Sequence, residues 1–555
     1  MLGFCGDSRP RLSVDRSSTL CQESLEVADF FAIYSAPSPR VSDHTENRFS
    51  GVQCPVMKFL KPLAVCASAA LAAGCGGGSM GSNGGGGGGG TNPTPASVII
   101  SATKSGAFSV AMSTSFQPAE WDYQFFQQNP SATVPLGKLG SHHIRLQGVS
   151  QGVPQTSAST WDFTILDAIT QPVLGVGDNS PEFQIAVAPP FMYDLNHNFL
   201  DPTYQQFAAY TQDLVRYYNI QGGITAPDGQ HASPSGIPIT WWGIYNEPNF
   251  NNLDSTQYTQ LYNAVVPAMQ AVDASLKYAA VELGDYSGLA NQYLPAFVGG
   301  VTVHVDVLAT HFYSTCNQKD TDATLFGTIP GFVSEVRDTY TQLDTNPALM
   351  NVPVWVTENN VNADFDKGGG ISACNNTTFV TDQRGSSPFF AAWRPYVFSQ
   401  LGQAGVQALY HWDFGADKQF GEVDYNTGAL QLSYWVDYWL GQVFPPSAGS
   451  QVLQFTSSDN VDLETLPIVN SDGSVVVMVA NHAVSSPATD NNGPGVPFSV
   501  TVDVSALGNF ASASLLVIDK DTSVANGPAE TSVTPGAKIT MDLNGYSVGI
   551  LTLKP

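Results

Sequence analysis

Two stretches decide how this chain folds: Thr240-Trp241-Trp242-Gly243-Ile244-Tyr245-Asn246-Glu247-Pro248-Asn249 and Val352-Pro353-Val354-Trp355-Val356-Thr357-Glu358-Asn359-Asn360. Each is a short apolar run that stops at a glutamate. Apolar runs without polar alternation suit strands buried on both faces, as in a parallel sheet covered by helices. Reading outward, runs of this kind occupy Phe108–Met112, His143–Leu146, Phe183–Ala188, Thr240–Tyr245, Tyr278–Leu283, Val305–Phe312, Val352–Thr357 and Ala408–Trp412. Helix-like segments lie between them, including Tyr204–Tyr218, Ser255–Ser275, Gly331–Leu343 and Pro388–Ala404. Eight strands with helix-bearing returns predict an α/β fold, a (β/α)8 TIM barrel over residues 107–440. An open doubly wound sheet is the alternative, but no Gly-rich phosphate turn follows the first strand.

Beyond Leu440 the texture changes. Val475–Ala480, Phe498–Val504, Ser514–Ile518 and Tyr546–Leu553 are short runs separated by Asn, Asp, Gly and Pro. They predict a C-terminal antiparallel β-sandwich over residues 441–555. The strand-like Ser97–Ser101, within residues 96–106, is expected to join that sandwich from the far end of the chain.

Of 555 residues only 12% are charged, against about 25% in ordinary proteins. The formal balance is −26, a field that repels phosphate backbones and argues against nucleic acid. Neutral polymers such as polysaccharides stay open. No obligate protein partner is expected.

The acidity belongs to the folded part. Residues 1–74 carry seven basic and seven acidic side chains, so their removal leaves the balance at −26. Residues 1–56 read as an overextended start or a disordered leader. From Met57, Lys58 and Lys61 precede the short apolar stretch Leu63–Ala73, which ends at Gly74-Cys75. Residues 57–75 resemble a bacterial lipoprotein signal, which implies lipidation of Cys75 and a membrane anchor facing periplasm or exterior. A secreted protein with an ordinary signal is the alternative. Residues 76–95 are a Gly-rich linker suited to a tether. Five of the seven Cys precede residue 76; Cys316 and Cys374 remain, and two Cys in an exported protein suggest one disulfide.

In a parallel barrel all strand C-termini open on one face, which carries catalysis. Glu247 and Glu358 stand 111 residues apart, or about 37 per strand–helix unit over three units, against ~31 in a 250-residue barrel. They therefore end strands four and seven and face one another across the mouth. Glycosidic cleavage needs two carboxyls, one to hand a proton to the leaving oxygen and one to attack or assist at the anomeric carbon. Repulsion between the two is expected to keep a proton on Glu247 until Glu358 is esterified.

The pair, with Tyr245-Asn246-Glu247-Pro248-Asn249 and Thr357-Glu358-Asn359-Asn360, resembles the clan of retaining (β/α)8 glycoside hydrolases. It is most similar to family 39, the β-xylosidase and α-L-iduronidase group, with Asn359 where the family usually has Tyr. Families 30, 51 and 79 are alternatives. The resemblance spans roughly residues 97–555. It implies Glu247 as acid/base, Glu358 as nucleophile and Asn246 as the partner of the sugar 2-hydroxyl. It further implies that Arg145 holds Glu358 ionised, that Tyr313 donates to Glu358, and that Trp412 forms a floor for a sugar ring. His311, in His311-Phe312-Tyr313, is grouped with these substrate-binding residues. Neither cofactor nor metal is implied. A glycan-binding protein without the chemistry, and a transglycosylase on the same site, are the competing readings.

Other features carry less. Glu282 and Asp413 are rival carboxylates on the same rim, better suited to partnering substrate or an Arg. Asp194-Leu195-Asn196-His197-Asn198 has the start of a calcium loop, but Phe199 replaces the required Gly and no Glu stands at the twelfth position. His142 and His143 have no metal-ligand partners in view. The Trp241-Trp242 pair is expected to point one ring into the core and the other into the barrel wall.

Overall fold

A computed structural model describes residues 92–117, 123–139, 144–147, 152–176, 182–284 and 293–555. The leader, the Cys75 signal and most of the Gly-rich linker lie outside the described residues, as do His142 and His143.

Eight parallel strands close a barrel in chain order: Ala111–Phe116, Arg145–Leu146, Glu182–Ile185, Trp241–Ile244, Lys277–Leu283, Val307–Thr315, Val354–Asn362 and Ala408–His411, which pairs back to the first. The expected TIM barrel is therefore present. Its helices include Gln205–Asn219, Ser255–Gln270, Asp322–Leu343 and Pro388–Gln403. Sequence explains their starts. Asp254 caps Ser255–Gln270 through the backbone N–H of Gln257, whose side chain bonds back to Asp254 N–H. Ser387 caps Pro388–Gln403, with proline at the first turn where its missing N–H costs nothing.

The lower interior of the barrel is filled by Ala111, Ala279, Val307, Ala309, Trp355, Ala408 and Tyr410. Small residues there make room for Trp241, whose ring packs on Trp355 with centroids 4.7 Å apart. Trp242 points the other way and packs on Phe183 and Tyr218 in the barrel-to-helix layer. The upper interior is polar, and this corrects two strand limits. The first strand is Ala111–Phe116 and not Phe108–Met112, because Ser113 and Ser115 look like turn residues but are buried inside, where Ser115 Oγ donates to Thr357 O at 2.9 Å. The seventh continues to Asn362 for the same reason, with Asn359, Asn360 and Asn362 all fully buried.

Residues 451–554 and the strand Thr94–Ala107 build a nine-stranded sheet. Thr94–Ala107 pairs antiparallel with Gln451–Ser457 and parallel with Phe498–Asp503, so the sheet is mixed where a purely antiparallel one was expected. The N-terminal strand is inserted between those two, inside the sheet. Met541 and Leu543 of the edge strand Lys538–Leu543 press on Gly549 of Ser547–Lys554; a Cβ at Gly549 would lie 2.9 Å from both side chains.

Candidate active site

Strands four and five end in bent backbone. Tyr245 (φ 68°) and Glu247 (φ 44°) follow strand four, and Val281 (φ 81°) and Glu282 (φ 46°) form a bulge at the end of strand five, all in the left-handed region. For a β-branched residue such as Val281 this conformation is costly, and such strain concentrates at functional sites. The bends interlock, since Glu247 N–H donates to Glu282 O at 2.9 Å. Asn249 completes the lock: its side chain donates to Gly284 O (2.9 Å) and accepts from Gly284 N–H (3.2 Å). A Cβ on Gly284 would stand 2.3 Å from Glu247 Oε1, so only glycine lets the carboxyl lie there.

Glu358 ends up opposite. Its Oε1 accepts from Arg145 Nη1 and Gln147 Nε2, both at 3.0 Å, and its Oε2 accepts from the Tyr313 hydroxyl at 2.9 Å. His311 stands between the two glutamates, with Nδ1 3.0 Å from Glu247 Oε1 and 3.4 Å from Glu358 Oε2. One oxygen of each carboxyl and a ring nitrogen of His311 all lie within 4.8 Å of one another. The two glutamates do not confront each other bare, as the repulsion argument supposed; an imidazole is inserted.

Below this pair lies a buried charge cluster. Arg145 Nη2 donates to Glu282 Oε2 (3.2 Å) and Asn246 Oδ1 (3.0 Å), and its Nε is 4.0 Å from Glu182. Glu282 also accepts from Thr357 Oγ1 (2.6 Å) and pairs with His311 Nε2 (3.2 Å). Burial pushes the Glu282 carboxyl up, but Arg145 and His311 outweigh it and hold it at about 2. Burial opposes the His311 charge as well, yet the Glu358, Glu247 and Glu282 carboxylates keep it up to about 9. Glu182 goes the other way, raised well above the carboxylate range by burial and by the Glu282 charge. Its Oε1 and that of Glu282 both approach Gly243, where a Cβ would come within 3.0 and 3.1 Å of them. Burial and the Glu358 charge keep the Tyr313 phenol protonated, so it remains a donor.

Asn246 Oδ1 takes two donors, Arg145 Nη2 and Gln184 Nε2 (2.6 Å), which fixes the amide with its NH2 turned away from them. Trp412 Nε1 donates to Gln117 Oε1 (3.2 Å) and Gln147 Oε1 (3.1 Å), and its ring packs edge-on against Phe420 and Tyr313. Asp413 is fully buried and pushed up to about 7 by burial; it holds the backbone N–H groups of Gln117 and Gly415.

Glu247, Glu358, Asn246, Arg145, Tyr313, Trp412 and His311 therefore meet at one end of the barrel. Arg145 meets Glu358, as the resemblance implied, and being fully buried it acts on carboxyl groups and not on substrate. His311 differs from the expectation of substrate contact: it too is fully buried, with its nitrogens facing Glu247, Glu358 and Glu282. Gln147, Gln184, Glu182 and Gln117 were not singled out from sequence. The signal was present for two of them: Gln147 and Gln184 lie two residues after Arg145 and Glu182, on the same face of a strand. Cys316 and Cys374 have Cα atoms 5.9 Å apart, within disulfide reach, on the loops after strands six and seven. The Asp194 carboxylate accepts from the backbone N–H groups of Asn196 and Asn198 within its own exposed turn.

Among the described residues, His411, Glu422 and Asp437 form a second set whose ligand atoms lie within 4.8 Å of one another. Asp437 there bonds Arg394 Nε at 2.7 Å and lies 2.8 Å from His411 Nδ1, so the chain supplies its own countercharge in Arg394.

No protein-family model matches the sequence, and no curated protein matches it. Solved structures do. The chain is similar to the crystal structure of the GH39 enzyme from Xanthomonas axonopodis pv. citri at 17% identity, covering 84% of this chain and 98% of that one, with a TM-score of 0.57. It is similar to a monomeric beta-xylosidase from Caulobacter crescentus CB15 at 14% identity, covering 83% and 99%, with a TM-score of 0.57. The catalytic domain of GH30 xylanase C from Talaromyces cellulolyticus is 14% identical over 83% of this chain and 100% of that one, at a TM-score of 0.54. The fold is thus the one shared by glycoside hydrolases of families 39 and 30.

Proposed function

We propose that the protein is a retaining glycoside hydrolase acting on an oligosaccharide or polysaccharide. The observation that carries this reading is the placement of Glu247 and Glu358 on one His311 nitrogen, with oxygens within 4.8 Å; retaining enzymes hold their carboxyls about 5–5.5 Å apart, inverting ones farther. Glu358 Oε1 takes both Arg145 and Gln147, whereas Oε2 accepts from the Tyr313 hydroxyl and lies farther, 3.4 Å, from His311 Nδ1, so Oε2 is the attacking atom. It forms a bond to the anomeric carbon as the bond to the leaving oxygen breaks, and Glu247 gives that oxygen its proton. Water then attacks the same carbon, Glu247 takes the water's proton, and the bond to Glu358 breaks. Two cations, Arg145 and His311, face four carboxyls. The NH2 of Asn246 is presented to the sugar.

Replacing Glu358 with Ala is expected to abolish hydrolysis in a screen of aryl glycosides and polysaccharides; native rates in that variant would refute the assignment. Replacing Glu247 should slow turnover strongly and spare the first step for substrates with good leaving groups. We also read the nine-stranded sheet as a sandwich that buttresses the barrel, Cys316–Cys374 as a disulfide clipping two mouth loops, and Cys75 as a lipid anchor. Loss of membrane fractionation in Cys75→Ser tests the last.

A further inference from the structure

Phe250 and Phe455 are the most exposed aromatic rings among the described residues, at 41% and 37%. Phe455 lies in the nine-stranded sheet, whereas Phe250 lies at the catalytic mouth. Phe250 N–H donates to Glu247 O at 2.9 Å, closing a tight turn that brings the ring back beside the Glu247 carboxyl. Both press on Gly284: the point a Cβ would occupy there is 2.3 Å from Glu247 Oε1 and 2.7 Å from Phe250 Cε2. The turn is clamped by amide side chains. Asn251 Nδ2 donates to Asn246 O (2.8 Å) and Glu247 O (3.2 Å), and Asn249 is bonded to both backbone groups of Gly284. An apolar ring is thus held exposed, on a fixed backbone, next to the proton donor.

Its side of the cleft follows from the chemistry. The acid protonates the glycosidic oxygen, and that oxygen departs with the leaving group. Whatever continues from it lies past Glu247, away from Glu358 and the Trp412 floor. Resting on the hydrolase reading above, we propose that Phe250 is the platform of a leaving-group subsite that takes a second sugar ring, stacked by its apolar C–H face on the phenyl. The substrate is then a chain of at least two sugars and not a sugar joined to a small group. A platform fixed before binding contributes more than a mobile one, because less freedom is lost on association.

The test compares two substrates of the same sugar and anomeric configuration: a disaccharide, and the methyl glycoside, whose leaving alcohol needs the same proton from Glu247 but carries no ring. In Phe250→Ala the ratio of kcat/KM for disaccharide to that for methyl glycoside is expected to fall by about tenfold or more, as for loss of one aromatic contact. In Phe250→Tyr it should stay near the wild-type value. An unchanged ratio in Phe250→Ala overturns the subsite, including the case where both substrates slow equally because the ring merely seats Glu247. A wild-type protein that cleaves neither substrate, nor any other glycoside, refutes the hydrolase reading itself and takes this inference with it.

Discussion

Arg145 directs each of its outer nitrogens at a different element: Nη1 at Glu358 of strand seven, Nη2 at Glu282 of strand five and at Asn246 after strand four. His311 does the same from strand six, with one nitrogen on Glu282 and the other on the catalytic pair. Glu282 is the member common to both. It is fully buried, yet it helps decide whether His311 is a cation. With its pKa up at about 9, His311 is charged through neutral pH and gives that charge up as pH rises toward 9. The raised value means its stabilising contribution is complete below the ordinary histidine value near 6.5 and is lost as pH climbs through about 9. Glu282→Gln removes one of the three anions behind the shift. The alkaline limb of kcat/KM is then expected to move down by about one pH unit or more, with the His311 imidazole resonance in NMR titrating at correspondingly lower pH. Coincident wild-type and variant profiles would show that Glu282 only fills space.

Among the elements, the ends of strands four and five place the acid. Gly284→Ala puts a methyl 2.3 Å from Glu247 Oε1 and 2.7 Å from the Phe250 ring, with Asn249 bonded to the backbone on either side. Backbone held that firmly does not retreat, so the carboxyl must. A misplacement of about 1 Å costs on the order of 100-fold in rate; kcat is expected to fall by that order while the unfolding midpoint changes little, and a fall in stability alone would contradict it. The same elements show what sequence could and could not reveal. Glu247 and Glu358 were legible because each terminates an apolar run, and the eight strands because such runs repeat at barrel spacing. Glu182 and Gln184 were not, since a polar residue on a short strand reads as a boundary until the interior is known to hold Arg145. Ser113 and Ser115 misled for the same reason. The sheet's order escaped reading because alternation gives a strand's faces but not its neighbours, and the parallel partner of Thr94–Ala107 lies some 400 residues away along the chain.

At the scale of the whole molecule, barrel and sheet meet along a seam that is unusually polar for its burial. Asp322, at the start of helix Asp322–Leu343, accepts from the backbone N–H groups of Asn492 and Gly493 (both 2.8 Å), from the Tyr546 hydroxyl (3.0 Å) and from Arg384 (3.3 Å). Farther along, Glu464 of the sheet strand Leu463–Val469 meets Ser399 and Gln400 of helix Pro388–Gln403, with Gln400 Nε2 at 3.1 and 3.0 Å from its two oxygens. Burial pushes this carboxyl up to about 7, and the two partners only partly offset it. The sign follows. An acid whose folded pKa exceeds the unfolded 4.5 binds its proton more tightly when folded, so stability falls as pH rises from 4.5 to about 7 and levels off above. The shift corresponds to about 3 kcal/mol. Asp413, also raised to about 7, acts in the same direction from the barrel rim. Glu464→Gln keeps an acceptor for Ser399 and Gln400 but cannot ionise. Denaturant unfolding at pH 5 and pH 8 should therefore show the variant losing about 2–3 kcal/mol less than wild type across the interval. Equal losses in the two proteins would mean that Glu464 enters the seam already charged, and that sheet and barrel are joined there by an anion rather than by a neutral acid.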